Sequence, residues 1–261
     1  MDNNVSIVVS SCDLFEDCWA PFIHSMRKYW PDCEWPVYVI SNHKAIDGPE
    51  GFSFIKVGED LKFASNLKRA LDNIRTDYII YLQEDFFLDR RVDNEAIKEH
   101  VAYCMRNGVD YMRLGFKFMN GRVVDKIYAE NNITDAYSLC LQAAIWKRET
   151  LYGLLLDNWS GWDFEYKIRQ YVMDNHICLK ILELRKEFAD KGIRYVTGTA
   201  VRKGRWTISG YDFLREEGFP HLLDKREREG YVLNTIQGVH GFFMMPCRAL
   251  ARLMRVFNWN F

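Results

Sequence analysis

The chain has 261 residues, 48% of them hydrophobic and 15% aromatic, which supplies a substantial core and excludes a predominantly disordered protein. Lys plus Arg (35) nearly balance Asp plus Glu (36), leaving a formal charge of −1; no net basic field exists to release counterions, which excludes nucleic acid as a global partner. The seven cysteines, Cys12, Cys18, Cys33, Cys104, Cys140, Cys178 and Cys247, are odd in number and form no C-x-x-C pair, so they suit reduced thiols in a cytoplasmic protein better than a zinc or redox site.

Residues 5–11, rich in β-branched side chains, predict a first strand that ends in small polar residues. Leu14, Cys18, Phe22, Met26 and Trp30 then recur at helical spacing until Pro31 ends the helix. Residues 35–42 and 52–57 read as two more strands. Ser65 can cap a helix whose Leu67, Ala70, Leu71 and Ile74 line one face, and residues 77–83 form the next strand. This alternation predicts a largely parallel sheet covered by helices. Farther on, the pattern predicts a helix over 94–107 stopped by Gly108, a strand over 109–115, and a hairpin over 116–124 turning at Asn120-Gly121. A strand over 137–146, a helix over 148–156, a charged helix over 177–189 and a strand over 193–199 follow.

No linker or repeat interrupts the chain, so one α/β domain over residues 1–240 is expected, with an appendage over 241–261. In that appendage, Arg248, Arg252 and Arg255 share one helical face opposite Leu250, Leu253, Met254 and Phe257. Residues 246–261 therefore suit either an interfacial membrane anchor or a helix packed on the domain. The apolar run over 5–9 is too short for a signal sequence, and no stretch approaches the roughly 18–20 apolar residues of a membrane span. A cytoplasmic protein, peripheral at the inner face of the membrane, is the expectation.

The chemistry concentrates at strand ends. The buried-type run Tyr78-Ile79-Ile80-Tyr81-Leu82-Gln83 climbs to the carboxylates Glu84 and Asp85. Ligands of open α/β sheets bind beyond the carboxyl ends of the strands. Two acids there can hold a divalent cation, which in turn holds a diphosphate, although a solvated strand end is the plain alternative. Ser10, Ser11 and Asp13 sit at the corresponding end of the first strand, where an acid can meet a nucleoside or simply cap a helix. Asn66 is a further candidate nucleotide contact. Neither G-x-G-x-x-G nor a P-loop is present. Asp163 and Glu165 alternate with the aromatics Trp162 and Phe164, where a carboxylate can act as a base, or where the helix dipole simply favours acids in a first turn. Arg202, Lys203 and Arg205 around Gly204 can offset the charge of a diphosphate, or form a solvated turn. His240, between Gly238 and Gly241, is a candidate metal ligand.

In this order the pieces resemble the GT-A fold of nucleotide-sugar-dependent glycosyltransferases over about residues 5–218. The stretch Ile80-Tyr81-Leu82-Gln83-Glu84-Asp85-Phe86 looks like that family's DxD motif, with Asp85 as its last acid and Gln83 in place of the first. Gly161-Trp162-Asp163-Phe164-Glu165 is similar to the acidic helix entrance that supplies the base of inverting members, and Arg202-Lys203-Gly204-Arg205-Trp206 to a late basic turn. The resemblance implies transfer of a sugar from a nucleoside-diphosphate donor to a hydroxyl of a glycan or lipid-linked acceptor, in bacterial surface-polysaccharide synthesis. Asp163 would be the base and Glu165 the second candidate. Mg²⁺ or Mn²⁺ would sit at Glu84, Asp85 and His240, and the glutamine at 83 puts that metal in question. A nucleotidyltransferase acting on sugar phosphates, or a silent sugar-binding protein of the same fold, are the alternatives. The missing Gly-rich loop after the first strand counts against the nucleotidyltransferase.

Overall fold

Val5–Ser10 (β1) is buried along nearly its whole length, as a strand covered on both faces of a parallel sheet must be. The computed structural model of the protein describes residues 4–115, 121–135, 137–196 and 198–230. The chain divides into two compact units, Met1–Ala200 and Val201–Phe261. The expected boundary near 240, the helix over 246–261 and the Asn120 half of the expected turn lie outside the described residues.

In the first unit the strands are β1, β2 (Val37–Ser41), β3 (Phe52–Lys56), β4 (Tyr78–Gln83), β5 (Tyr111–Arg113), β6 (Arg122–Val123), β7 (Tyr128–Asn131), β8 (Ala144–Lys147) and β9 (Ile181–Leu184). They form one mixed sheet of order β3-β2-β1-β4-β8-β5-β9-β7-β6. β1 to β4 are mutually parallel, and β5 is parallel to β9. β8 runs antiparallel between β4 and β5, and β7 and β6 finish the far edge as an antiparallel pair. The expected mainly parallel α/β sheet is therefore present.

Helices α1 (Glu16–Tyr29), α2 (Lys62–Leu71), α3 (Asn94–Asn107), α4 (Arg148–Leu154) and α5 (Gly161–Asp174) cover the sheet. The apolar stripes of α2, α4 and α5, among them Leu67, Leu71, Leu151, Phe164 and Ile168, pack with Val8, Ile79, Tyr81 and Trp146 in one core. Strand alternation sends Tyr78 to the other face, where its hydroxyl donates to the Cys104 carbonyl of α3 at 3.1 Å. On that side the Trp30 indole at the end of α1 donates to Asn94 at the start of α3 at 2.8 Å. Asp93 caps α3 by accepting from Ala96 N, and Gly108 ends it in the left-handed region (φ 59°), the stop that the sequence predicts.

Several expected elements are corrected. α2 begins three residues before Ser65, whose hydroxyl instead accepts from Asn158 N at 3.1 Å. Arg122–Val123 pairs with Tyr128–Asn131 in a hairpin that turns after Val123, while residues 116–120 of the expected hairpin lie outside the described residues. The strand expected over 137–146 shortens to Ala144–Lys147, and that over 193–199 to a single bridge between Tyr195 and Leu88. The charged helix expected over 177–189 is replaced by β9 and a 3-10 turn, Lys186–Lys191. Glu183, which looks like a solvated helix residue, is only 1% exposed because Arg113 on the neighbouring β5 compensates its charge at 3.6 Å.

In the second unit, β10 (Val201–Arg202) and β11 (Arg205–Trp206) form a hairpin whose central Lys203 (φ 50°) and Gly204 (φ 76°) are both left-handed. That is the geometry of a type I′ turn. Thr207 caps α6 (Ile208–Glu216) by accepting from Gly210 N, and the buried Trp206 indole donates to Leu222 O at 3.1 Å.

Candidate functional site

β1 sends its chain to β2 on one side and pairs with β4 on the other, so the strand order reverses between β1 and β4. At such a switch point the connections leave in opposite directions and open a crevice beyond the carboxyl ends. The register places Ser10 directly against Gln83 at those ends, and Glu84 N donates back to Ser10 O at 3.4 Å. Glu84 and Asp85 thus follow immediately at the mouth, 8% and 6% exposed, each with interactions in the fold.

Asp85 accepts a short hydrogen bond from the Thr199 hydroxyl, and its carbonyl accepts from Ala200 N at 2.9 Å. Phe86 stacks on Tyr195 with centroids 4.1 Å apart, so Tyr195, Thr199 and Ala200 all lie against the acids and the residue that follows them. Gln83, at the place of the missing first acid, donates its amide to the Tyr81 hydroxyl at 3.1 Å, beside the Ser10 side chain.

Because β8 is antiparallel to β4, the residues preceding Ala144 return to the same edge. There Leu141 N donates to Glu165 Oε1 at 2.9 Å. This bond delivers Glu165, from the start of the second turn of α5, to the carboxyl edge. Tyr81 is held far above an ordinary phenol, first by burial and then partly by the negative charges of Glu84 and Glu165. Tyr195 is raised in the same way, by burial first and then in part by Asp85 and Glu165. The two phenols therefore lie within the electrostatic reach of both acidic groups. Cys12 is pushed up to about 11 by burial and by Glu84, Asp60 and Asp13, which makes it a poor nucleophile at neutral pH.

Other expected contacts hold the walls of the crevice. Asp13 accepts from the backbone N–H groups of Asn42 (2.8 Å), His43 (3.0 Å) and Lys44 (3.3 Å). Burial works against its ionised form, but these amides hold its carboxyl below the usual range. Asp13 thereby braces the end of β2 rather than presenting a carboxylate free of protein partners. Ser11 accepts from the Trp19 indole at 2.8 Å. Asn66 accepts from Leu61 N at 3.0 Å and donates to Asp60 at 2.7 Å, which shapes the turn before α2.

Asp163 is placed differently from Glu165. It forms a capping box with Ser160, accepting from Ser160 N at 3.0 Å and from the Ser160 hydroxyl at 2.6 Å. Its other oxygen pairs with Lys167 at 2.7 Å. Lys167 and Ser160 hold its carboxyl well below the usual range, a poor setting for a general base. Asp163 is thus engaged by Ser160 and Lys167, whereas Glu165 is held through one oxygen by Leu141. Glu165 Oε2 makes no hydrogen bond among the described residues.

Arg202 and Arg205 belong to the second unit, where they pair with Glu229 (3.4 Å) and Glu227 (2.9 Å), and Lys203 occupies the hairpin turn. His240 lies outside the described residues. Among the described residues no group of three or more His, Cys, Asp or Glu side chains is arranged to hold a metal ion. Glu84 and Asp85, two hard oxygen donors, still suit a cation such as Mg²⁺, which takes one or two carboxylates and completes its shell with water and phosphate. Sequence reading missed Asp60, Gln142, Thr199 and Tyr195. Gln142 and Tyr195 both come within 3.4 Å of where a side chain on Gly115 would begin, and no motif marks residues that only chain reversal brings together.

This is a mixed α/β architecture of the GT-A and nucleotidyltransferase-like type. No protein-family model matches the sequence, and no curated protein does. Among solved structures, residues 1–349 of S. aureus TarS are similar over 82% of this chain and 64% of that one, at 14% identity and a TM-score of 0.50. A TarS structure in complex with UDP gives a TM-score of 0.47 at 16% identity, over 81% of this chain and 63% of that one. A cytidylyltransferase from Leptospira borgpetersenii gives 0.45 at 16% identity, over 70% of this chain and 76% of that one. The chain spans 38% of a longer TarS structure. Among the described residues no helix is long and apolar enough to cross a membrane.

Proposed function

We propose that the carboxyl edge of the first unit binds a nucleoside-diphosphate sugar and transfers the sugar to a hydroxyl of a glycan or lipid-linked acceptor. The observation that carries this reading is the Ser10–Gln83 register, which sets the buried Glu84 and Asp85 at the β1/β4 switch point. The carboxylates Glu84, Asp85 and Glu165, whose charges act on Tyr81 and Tyr195 at this edge, repel an anionic donor unless cations offset them. Glu84 and Asp85 would hold a divalent cation, which would neutralise charge on the diphosphate.

Glu165, tethered through Leu141, takes the proton from the acceptor hydroxyl. The acceptor oxygen bonds to the anomeric carbon as the bond from that carbon to the diphosphate oxygen breaks. The nucleoside diphosphate leaves with the electron pair, and the anomeric centre inverts. Asp163 has the supporting part of fixing the start of α5. Arg202 and Arg205, already ion-paired within their own unit, are assigned no step.

The test incubates the full chain with UDP-, GDP- and dTDP-sugars and Mn²⁺, with simple glycosides as acceptors, and follows release of the nucleoside diphosphate. Glu165→Gln should lower turnover by about 10²–10⁴-fold, the usual worth of general-base catalysis. Unaltered turnover in that variant removes Glu165 from the mechanism. Release of pyrophosphate from a nucleoside triphosphate and a sugar 1-phosphate would instead establish a nucleotidyltransferase.

A further inference from the structure

On α5 the large hydrophobic side chains left to solvent are Trp162 and Tyr166, 65% and 62% exposed. Their rings stack, 21° from parallel with centroids 6.1 Å apart, and present a tandem apolar surface to solvent. The helix is fixed in rotation by Phe164, Ile168 and Val172, all buried in the core. It is fixed in position at its first residue, where a side chain on Gly161 would meet Leu141 at 3.3 Å.

At about 100° per residue, Glu165 falls about 60° round the helix from Trp162, between the aromatic pair and the buried stripe. Leu141 therefore both supports the start of α5 and donates its N–H to Glu165. The aromatic pair and the proposed base share one turn of one helix, on adjoining faces. The surroundings of the pair are polar: Asp163 and Lys167 form an ion pair at 2.7 Å, and Arg169 donates to Thr134 O at 3.0 Å. An apolar protein surface would have to desolvate those charges, whereas a sugar ring offers C–H groups to the ring faces and hydroxyls to the rim.

We propose that Trp162 and Tyr166 form the acceptor subsite, a stacking platform for a pyranose ring whose reacting hydroxyl points to Glu165. This rests on the transferase reading above and adds the residues that choose the acceptor. The platform acts through contact area and shape, so it selects for a sugar with a flat C–H face and is indifferent to the donor nucleotide.

The experiment is saturation-transfer NMR on the full chain, with the methyl glycosides of glucose, galactose, N-acetylglucosamine and rhamnose as probes and a nucleoside diphosphate in the same sample. In the wild type, at least one glycoside should respond through its ring C–H protons. Trp162→Ala and Tyr166→Ala should each weaken that response by about 3- to 10-fold, Trp162→Phe should restore much of it, and the nucleotide signal should persist throughout. These residues are exposed, so the variants are expected to fold, and the nucleotide signal reports it. A nucleotide that binds while no glycoside responds overturns the subsite alone. Loss of both signals in the wild type removes the transferase reading beneath it. Concentration-dependent dimerisation abolished by Trp162→Ala would make the surface a self-association face and also overturn the subsite.

Discussion

Replacing Glu183 by Gln should destabilise the first unit by about 3–5 kcal/mol, the cost of breaking one side of a buried ion pair. Arg113 and Glu183 are each 1% exposed and 3.6 Å apart on adjacent strands β5 and β9. With an effective dielectric of about 20, that separation corresponds to roughly 4–5 kcal/mol of attraction. The guanidinium cannot shed its proton, so Glu183→Gln leaves a positive charge in the core. Arg113 also donates to the carbonyls of Tyr137 and Ser138, which relieves part of the cost and keeps the estimate at this level. Thermal unfolding should fall by about 6–20 °C in Glu183→Gln. The double variant Arg113→Met/Glu183→Leu should lie closer to the wild type than Glu183→Gln does, because it removes both charges. It should still be destabilised, by about 1–3 kcal/mol, because the two carbonyls lose their donor. Additive costs across the full double-mutant cycle, or a Glu183→Gln effect below about 1 kcal/mol, would refute the claim that β9 is buried by charge compensation.

Three further outcomes follow from individual contacts. His100 is buried between the Tyr128 hydroxyl (2.8 Å) and Lys191 O (3.1 Å), and burial lowers its pKa to about 4. Its unfolded form takes up a proton near pH 6.5, so its stabilising share is complete above that pH and declines towards pH 4. The decline is of order 3 kcal/mol, and His100→Gln should flatten it in denaturant titrations run across that window. Gly192→Ala would place a methyl 2.2 Å from Leu114 O, the acceptor for Ile193 N, and should cost about 3 kcal/mol by denaturant midpoint, at the upper end for overpacking. Ser160→Ala, which removes the cap of α5, should cost about 1 kcal/mol by the same assay. Both it and Asp163→Asn should keep most of the turnover that Glu165→Gln loses.

The amino-terminal part of the fold is legible in the sequence because each element there has one pattern. β1, β2 and β4 are short apolar β-branched runs, and Cys18, Trp19, Phe22, Ile23 and Met26 make a stripe that can only be helical. The acids at 84 and 85 are legible for the same reason, since they interrupt an apolar strand at its carboxyl end. β9 is not legible, because the charge of Glu183 reads as solvent-facing until Arg113 arrives from a strand 70 residues earlier. The contacts of Asp163 and Glu165 differ for a local reason. Ser160-x-x-Asp163 is a capping box visible in the sequence, but the bond from Leu141 that recruits Glu165 depends on how β8 returns to the edge. Asp13 and Asn66 look available in one dimension and are engaged by neighbouring loops in three.

The direct test of the β1/β4 crevice is calorimetric titration of UDP, GDP, CDP and dTDP into the full chain, with Mn²⁺ and then with a chelator. The wild type should bind at least one of them in a metal-dependent way. Glu84→Gln/Asp85→Asn should weaken that binding by about tenfold or more, a loss of about 1.4 kcal/mol, and abolish its dependence on metal. Failure of every nucleotide to bind the wild type, or undiminished metal-dependent binding in the double variant, would contradict the placement of the donor at these two carboxylates.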